Sequence, residues 1–458
     1  MNTPILDFVR NYAASNAVRM HMPGHKGKGA PEAASDITEI AGADDLFHAS
    51  GIIGESEKNA SQIFGCDTYY STEGSSLCIR AMLYLCRAAG SKTEKPWILA
   101  ARNVHKTFVS ACVLLDIDAE WIAPENDSLI SSNITASDVA KALSDATKKR
   151  GNLPCCVYLT SPDYTGHILP IKEIAKVCHD NAIPLVVDNA HGAYLKFLEP
   201  SLHPIDLGAD MCCDSAHKTL PALTGAAYLH VNSSIISAKK DDVKTAMSLF
   251  ASTSPSWLIL QSLDSLNPIL ETTFKSDLKN TIDLVSSAEK ALSDNGFSLL
   301  GEEPLKITIS TKEKGYTGDL FAQYLRENKT PIEVEFSDPD QIVLMVSPNN
   351  TKEEIETVVE AVLIIAKKDA DSASDENDAS STNRPPRATL PEKVMSMREA
   401  AMSPWETVSL NEAEGRIAHL VDCFCPPAIP VLICGEKIGR NEIAILRYYG
   451  YDSCRVVR

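Results

Sequence analysis

Val186-Val187-Asp188-Asn189-Ala190-His191-Gly192 is an apolar run that ends in a carboxylate and breaks at a glycine-containing turn; about thirty residues later stands Ser215-Ala216-His217-Lys218. A short apolar run bounded by a turn reads as a buried strand, and a polar group at its carboxyl end lies where open α/β sheets bind ligands. An amine that condenses with an aldehyde must be positioned and partly desolvated, and an aromatic ring nitrogen stays protonated beside a carboxylate. Lys218 and Asp188 offer that pair. Each alone has a plainer reading, since Lys218 is one of 43 basic residues and an Asp at a strand end is commonly a turn former.

Outward from this stretch, strand-like runs at 97–100, 155–160, 185–187 and 225–231 alternate with helix-like stretches at 77–88 and 171–181. The alternation predicts a largely parallel sheet wrapped by helices. Helical periodicity dominates 253–295, after which strands at 305–310 and 341–346 alternate with helices at 318–328 and 352–367, the pattern of a smaller α/β domain. Residues 368–387 are rich in Asp, Ser, Ala and Asn, as in a flexible linker. The expected organisation is an arm over 1–60, a large domain over 61–250, interface helices and a small domain over 251–367, a linker over 368–390 and an appended C-terminal domain over 391–458. Within the arm, Pro23, Gly24, Gly27 and Gly29 exclude a regular helix, so His21 and His25 share no helical face.

With 458 residues, 44% of them hydrophobic, the chain can bury more than one core. No apolar run is long enough to suggest a membrane span and the first residues carry no secretion-signal pattern, so a cytoplasmic protein is expected. A formal charge of −18 without basic clusters argues against nucleic-acid binding. The 13 cysteines include Cys155-Cys156 and Cys212-Cys213 in apolar runs, where they read as small buried hydrophobes. Cys423, Cys425 and Cys434 lack the companion pairs of a zinc motif, so no metal is expected.

Glu73-Gly74-Ser75-Ser76 opens a helix-like run, where amides and helix dipole can cradle a phosphate or, more plainly, cap the helix. His105 follows a strand-like run, at a position where its ring can lie over a pyridine or simply belong to core or surface. Thr160-Ser161-Pro162-Asp163-Tyr164-Thr165-Gly166 ends another strand. Phosphate cradle, ring-stacking histidine, carboxylate and lysine thus arrive in the order of a pyridoxal phosphate site.

The chain resembles the ornithine/lysine/arginine decarboxylases, group III of the pyridoxal phosphate decarboxylases. The resemblance rests on HMPGHKG (21–27), GADDL (42–46), EGSS (73–76), DNAHG (188–192), SAHK (215–218), TSPSW (253–257) and CPPAIPVLICGE (425–436). It implies an α/β protein of pyridoxal phosphate fold type I, with a mainly parallel seven-stranded sheet in the large domain, a smaller α/β domain and a small C-terminal domain. It implies that Lys218 holds the cofactor's aldehyde, Asp188 its ring nitrogen and His105 its ring face. Gly74, Ser75, Ser76, Ser215 and His217 fall around the phosphate, and Ala190 and His191 complete the cofactor contacts. The segment at Thr253 comes from a neighbouring chain in the family, so a homodimer with shared sites, open to higher assembly, is the expected active unit. The absence of a flavodoxin-like segment before HMPGHKG suggests the short, biosynthetic form.

The expected reaction is decarboxylation of arginine, lysine or ornithine to a polyamine-type amine, with Lys218 or His217 returning a proton to Cα. The distal cation needs a carboxylate. Glu335 matches the family position, with Glu333 and Asp45 as alternatives. Glu73, where many relatives carry Asn, and Cys425 and Ala428, where Tyr and Gly are usual, depart from the pattern and bear on the pocket. Another reaction on this scaffold, an aminotransferase, lyase or aldolase, is the rival enzyme reading, although Arg326 is the one visible small-domain candidate for a carboxylate clamp. A non-catalytic regulator is the rival from another class, and intact Lys218 and Asp188 speak against it.

Overall fold

The computed structural model describes residues 1–15, 17–90, 95–122, 129–232, 238–368, 386, 389–420, 423 and 426–458. The chain divides into two compact units, one of residues 1–99, 139–161 and 170–276, the other of residues 100–138, 162–169 and 277–458.

The main sheet has seven strands: β1 (Asp67–Ser71), β2 (Trp97–Ala101), β3 (Asp118–Ile122), β4 (Val157–Thr160), β5 (Leu185–Asp188), β6 (Met211–Asp214) and β7 (Ala227–Val231). They run in the order β1-β7-β6-β5-β4-β2-β3. Every residue of β2, β5, β6 and β7 is buried, which is why these strands read as continuous apolar runs rather than alternating ones. β4, β5 and β6 pair in parallel, whereas β7 is antiparallel to both its neighbours, so the sheet is mainly but not wholly parallel. The run at 155–160 begins pairing through Cys155, whose N–H donates to the Trp97 carbonyl at 2.8 Å. The thiols of Cys155, Cys178 and Cys213 are all raised by burial, as expected of inert packing groups.

In the second unit, β8 (Leu299–Leu300), β9 (Lys306–Ser310), β10 (Phe336–Ser337) and β11 (Gln341–Met345) form an antiparallel sheet of order β10-β11-β9-β8. The helices Gly318–Arg326 and Lys352–Lys368 supply Phe321, Leu325 and Val362 to its core. The C-terminal part is built on the antiparallel pair of β12 (Trp405–Ser409) and β13 (Ser453–Val457) with the helix Arg440–Tyr448. Most of the linker segment 368–390, and Cys425, lie outside the described residues. No helix among the described residues is long and apolar enough to cross a membrane.

The arm at 21–27 is a succession of turns, as Pro23 and the glycines require; His25 Nδ1 accepts from the Gly27 N–H at 2.9 Å and its Nε2 faces Asp36 at 3.2 Å. The chain start is anchored elsewhere. Thr3 gives the helix Pro4–Ala14 no side-chain cap, and the first-turn N–H groups of Ile5 and Leu6 donate instead to Asp264 Oδ2 at 3.0 and 2.9 Å. The Ser56 hydroxyl donates to the other oxygen at 2.5 Å.

Burial outweighs these three donors and lifts the Asp264 carboxyl to about 6. Its folded pKa then exceeds the unfolded one of about 3.9, so the folded chain holds the proton longer and stability falls as pH rises from about 4 to about 6. Urea unfolding across that window should show a shallower fall in Asp264→Asn than in the parent; parallel pH profiles would exclude this proton linkage.

Candidate active site

Pairing register brings the strand ends together. Thr160 stands opposite Asp188, Asp188 opposite Cys213, Asp214 opposite Tyr228, and Ala227 opposite Ser71. The carboxyl ends of β4, β5, β6 and β1 therefore lie along one edge, and the turns leaving it carry Asn189 to His191, Ser215 to Lys218 and Glu73 to Ser76.

Lys218 Nζ donates to His191 Nε2 at 2.9 Å, which puts the His191 proton on Nδ1. Asp188 is buried; its Oδ2 accepts from the Tyr158 hydroxyl at 3.2 Å, and its Oδ1 from the Ala190 N–H at 3.2 Å and the Cys213 thiol at 3.5 Å. An ionised carboxylate has about four acceptor positions, so capacity for a ring N–H remains. The Ser75 and Ser215 hydroxyls meet at 2.9 Å beside the start of the helix Gly74–Ala89. Gly74 (φ +68°) turns the chain into that helix and donates to the Gly225 carbonyl at 2.8 Å; a Cβ there meets open space, so backbone conformation rather than crowding selects glycine. His217 Nδ1–H donates to the Ala226 carbonyl at 3.0 Å, which fixes the ring. An amine, a carboxylate and hydroxyls at a helix N-terminus match, group by group, an aldehyde, a ring nitrogen and a phosphate.

Other expected residues lie apart from this cluster. Thr253 is exposed in a loop whose Ser252 N–H donates to Glu73 Oε1 at 2.7 Å, so Glu73 holds that loop. Asp45 accepts from the N–H groups of Phe47 and His48, and its carboxyl is lowered by these bonds despite the opposing, larger effect of burial.

The second unit holds His105, the N-cap of the helix Lys106–Leu115. Its Nδ1 accepts from the Thr107 N–H at 3.2 Å, so the neutral ring carries its proton on Nε2. The two small-domain carboxylates separate cleanly: Glu333 is exposed and faces Arg326 at 3.8 Å, whereas Glu335 accepts from the Tyr164 hydroxyl at 2.6 Å. Arg326 is thereby accounted for at the end of its helix. Tyr164 comes from the Thr160 to Gly166 loop, which Asp163 ties by accepting from Ser132, Thr165 and His167 N–H groups. The segment after Cys425 is fastened by Arg102, which donates to the Pro430 and Val431 carbonyls at 2.9 Å and to Glu436 at 3.2 Å. Tyr158 and Tyr164 escaped the sequence reading because a strand or loop tyrosine looks like any buried aromatic.

The fold is that of known decarboxylases: lysine decarboxylase A from Pseudomonas aeruginosa superposes with a TM-score of 0.83 at 19% identity, over 99% of this chain and 80% of that one. Escherichia coli constitutive lysine decarboxylase gives 0.79 at 17% identity, over 100% and 82%. Residues 3–300 match the Orn/Lys/Arg decarboxylase major domain and residues 379–452 the C-terminal domain of the same family. Arginine decarboxylases of Halalkalibacterium halodurans and Bacillus subtilis are 33% and 31% identical, each over 97% of this chain and 93% of the relative. The chain belongs to the Orn/Lys/Arg decarboxylase family.

Ala428, one of the two departures in the C-terminal motif, is buried with φ +57°, and its carbonyl accepts from the Lys106 N–H at 2.8 Å. A left-handed conformation costs a Cβ-bearing residue about 1–2 kcal/mol. Ala428→Gly should therefore raise the unfolding free energy by roughly 1 kcal/mol, less than the full strain because glycine loses more backbone entropy. Chemical denaturation checks this; a loss of stability would show that the methyl's packing outweighs the strain.

Proposed function

We propose that this decarboxylase of basic amino acids acts on arginine, uses pyridoxal phosphate, and works as a cytoplasmic homodimer. The observation that carries the reading is the shared strand edge of Asp188 and Lys218, with the Lys218 amine already hydrogen-bonded to a neutral His191. Arginine is favoured by the names of the two relatives that align over nearly their whole length, and dimerisation by the exposed Thr253 loop that the family resemblance assigns to a neighbouring site.

Lys218 presents the amine for the cofactor's aldehyde, and Asp188 accepts the ring N–H. Ser75, Ser76 and Ser215, with the first amides of the helix Gly74–Ala89, would hold the phosphate, and the family resemblance assigns His105 to the ring face. Bound there, pyridoxal phosphate supplies a cationic ring that takes up the electron pair left by departing carbon dioxide. The family resemblance assigns Glu335 to the substrate's distal cation; the Tyr164 hydroxyl bond fixes that carboxylate, which could hold a guanidinium by two parallel hydrogen bonds. Lys218 as its ammonium, or His217 as an imidazolium with its ring fixed through Nδ1, would then return a proton to Cα, replaced from solvent after each turnover.

Purified, cofactor-loaded protein should release carbon dioxide and the matching amine from arginine, and Lys218→Ala should lose at least about 10³-fold in rate. Release from lysine or ornithine alone would move the substrate assignment; release from none would overturn the proposed reaction for these substrates. Borohydride treatment of the loaded protein should place the cofactor label on the peptide containing Lys218.

Glu335→Gln should reduce kcat/KM for arginine by about ten- to a hundredfold, mainly through KM, the equivalent of the roughly 1.5–3 kcal/mol of a charge-assisted hydrogen bond. Tyr164→Phe should cost less, about three- to tenfold. Unchanged KM in both variants would remove Glu335 from substrate binding.

A further inference from the structure

Immediately before the lysine-bearing turn, β6 ends in Asp214, and its carboxylate sits in a cluster that the reaction does not use. Asp214 Oδ2 lies 3.0 Å from His203 Nε2 and 3.1 Å from His230 Nε2, and Cys212 Sγ lies 3.9 Å from the same His203 nitrogen. The four donor atoms are all within 4.8 Å of one another and all four residues are buried. The placement follows from strand geometry: Cys212 and Asp214 are two apart on one face of β6, and His230 stands opposite Cys212 on β7.

Three observations point to a cation. With zinc bond lengths of about 2.0–2.1 Å to nitrogen or oxygen and 2.3 Å to sulfur, tetrahedral donors stand roughly 3.3–3.7 Å apart, and the three separations bracket that span. The outer hydrogen bonds of His230 and Asp214 have the pattern that orients metal ligands, whereas His203 Nδ1 is buried with no hydrogen-bond partner among the described residues. The Thr68 hydroxyl lies 3.0 Å from His230 Nδ1 and 3.3 Å from the Cys66 carbonyl; with its proton on that carbonyl it accepts from His230 Nδ1–H, the tautomer that turns an unprotonated Nε2 toward a cation beside the carboxylate. The Asn189 amide donates to the other Asp214 oxygen at 2.7 Å. Finally, the shell is apolar, with Phe64 centred 4.5 Å from the His230 ring and 5.8 Å from the His203 ring.

We propose that His203, Cys212, Asp214 and His230 form a closed, four-coordinate structural site for a divalent cation of the zinc class. One thiolate, one carboxylate and two neutral imidazoles balance the cation's two charges, as deep burial demands. The Cys212 thiol releases its proton to solvent as the Sγ–metal bond forms. All four positions are taken by protein, so the site braces the carboxyl end of β6, and with it the turn carrying Lys218, rather than activating water. The buried ligands give solvent no direct access, so the cation enters during folding.

The test is metal analysis of the cofactor-loaded protein produced in zinc-supplemented medium and dialysed against chelator. About one zinc per chain is expected, falling several-fold in Cys212→Ser and in His203→Gln. In parallel, wild-type chains unfolded in chelator and refolded with cobalt(II) and pyridoxal phosphate should show intense red-region absorption of tetrahedral cobalt, shifted in Cys212→Ser. Folded, cofactor-loaded wild type with less than about a tenth of an equivalent of metal and no cobalt spectrum would make the cluster a hydrogen-bonded histidine pair alone. Full metal retention in both variants would place the metal elsewhere and equally overturn the proposal.

Discussion

Parallel pairing of β4, β5 and β6 is the constraint on which the site depends. Thr160, Asp188 and Cys213 occupy successive neighbouring positions across those strands, so each chain reversal beyond them starts from the same edge. A shift of one residue in any of these pairings would turn Asp188 to the other face of the sheet and separate it from Tyr158 and Cys213, the groups that make its burial tolerable. The antiparallel β7 then returns to bring β1, and with it the Gly74 turn, to the same edge.

The strands legible in the sequence were those buried on both faces, because a continuous apolar run bounded by turns has few other readings. Expected runs at 97–100, 185–187 and 341–346 differ from the observed β2, β5 and β11 by one residue. β1, with Asp67 and Thr68 beside two tyrosines, and the two-residue β8 and β10 gave no such signal. The chemistry was legible where it sat in short motifs: Asp188, Ser215 and Lys218 do share a sheet edge. It was illegible where it depended on distant partners. The family resemblance favours Glu335 over Glu333, but their local chemistry is the same; in the structure Tyr164, 171 positions from Glu335, donates to one and Arg326 faces the other. Glu73 read as a change in the pocket, yet its hydrogen bond goes to the backbone of Ser252.

Several charges are buried here as pairs of opposite sign. Arg102 with Glu436, Lys244 with Glu57 and Lys306 with Glu303 each join segments far apart or at a chain reversal while sealed from water. Such pairs add little net stability over apolar packing, but losing one partner leaves a buried charge, so they penalise alternative arrangements of the segments they join.

The connectivity of the first strand has a consequence for folding. β1 is an edge strand that pairs with β7, at residues 227–231, and the helix Pro4–Ala14 receives a first-turn acceptor from Asp264. The helix Ile52–Phe64, which packs against both segments, lies near them in the chain, whereas β7 and Asp264 follow far later. Closing the β1 edge of the sheet and capping the first helix therefore both wait on contacts of long sequence separation, whose loop-closure cost precedes any gain.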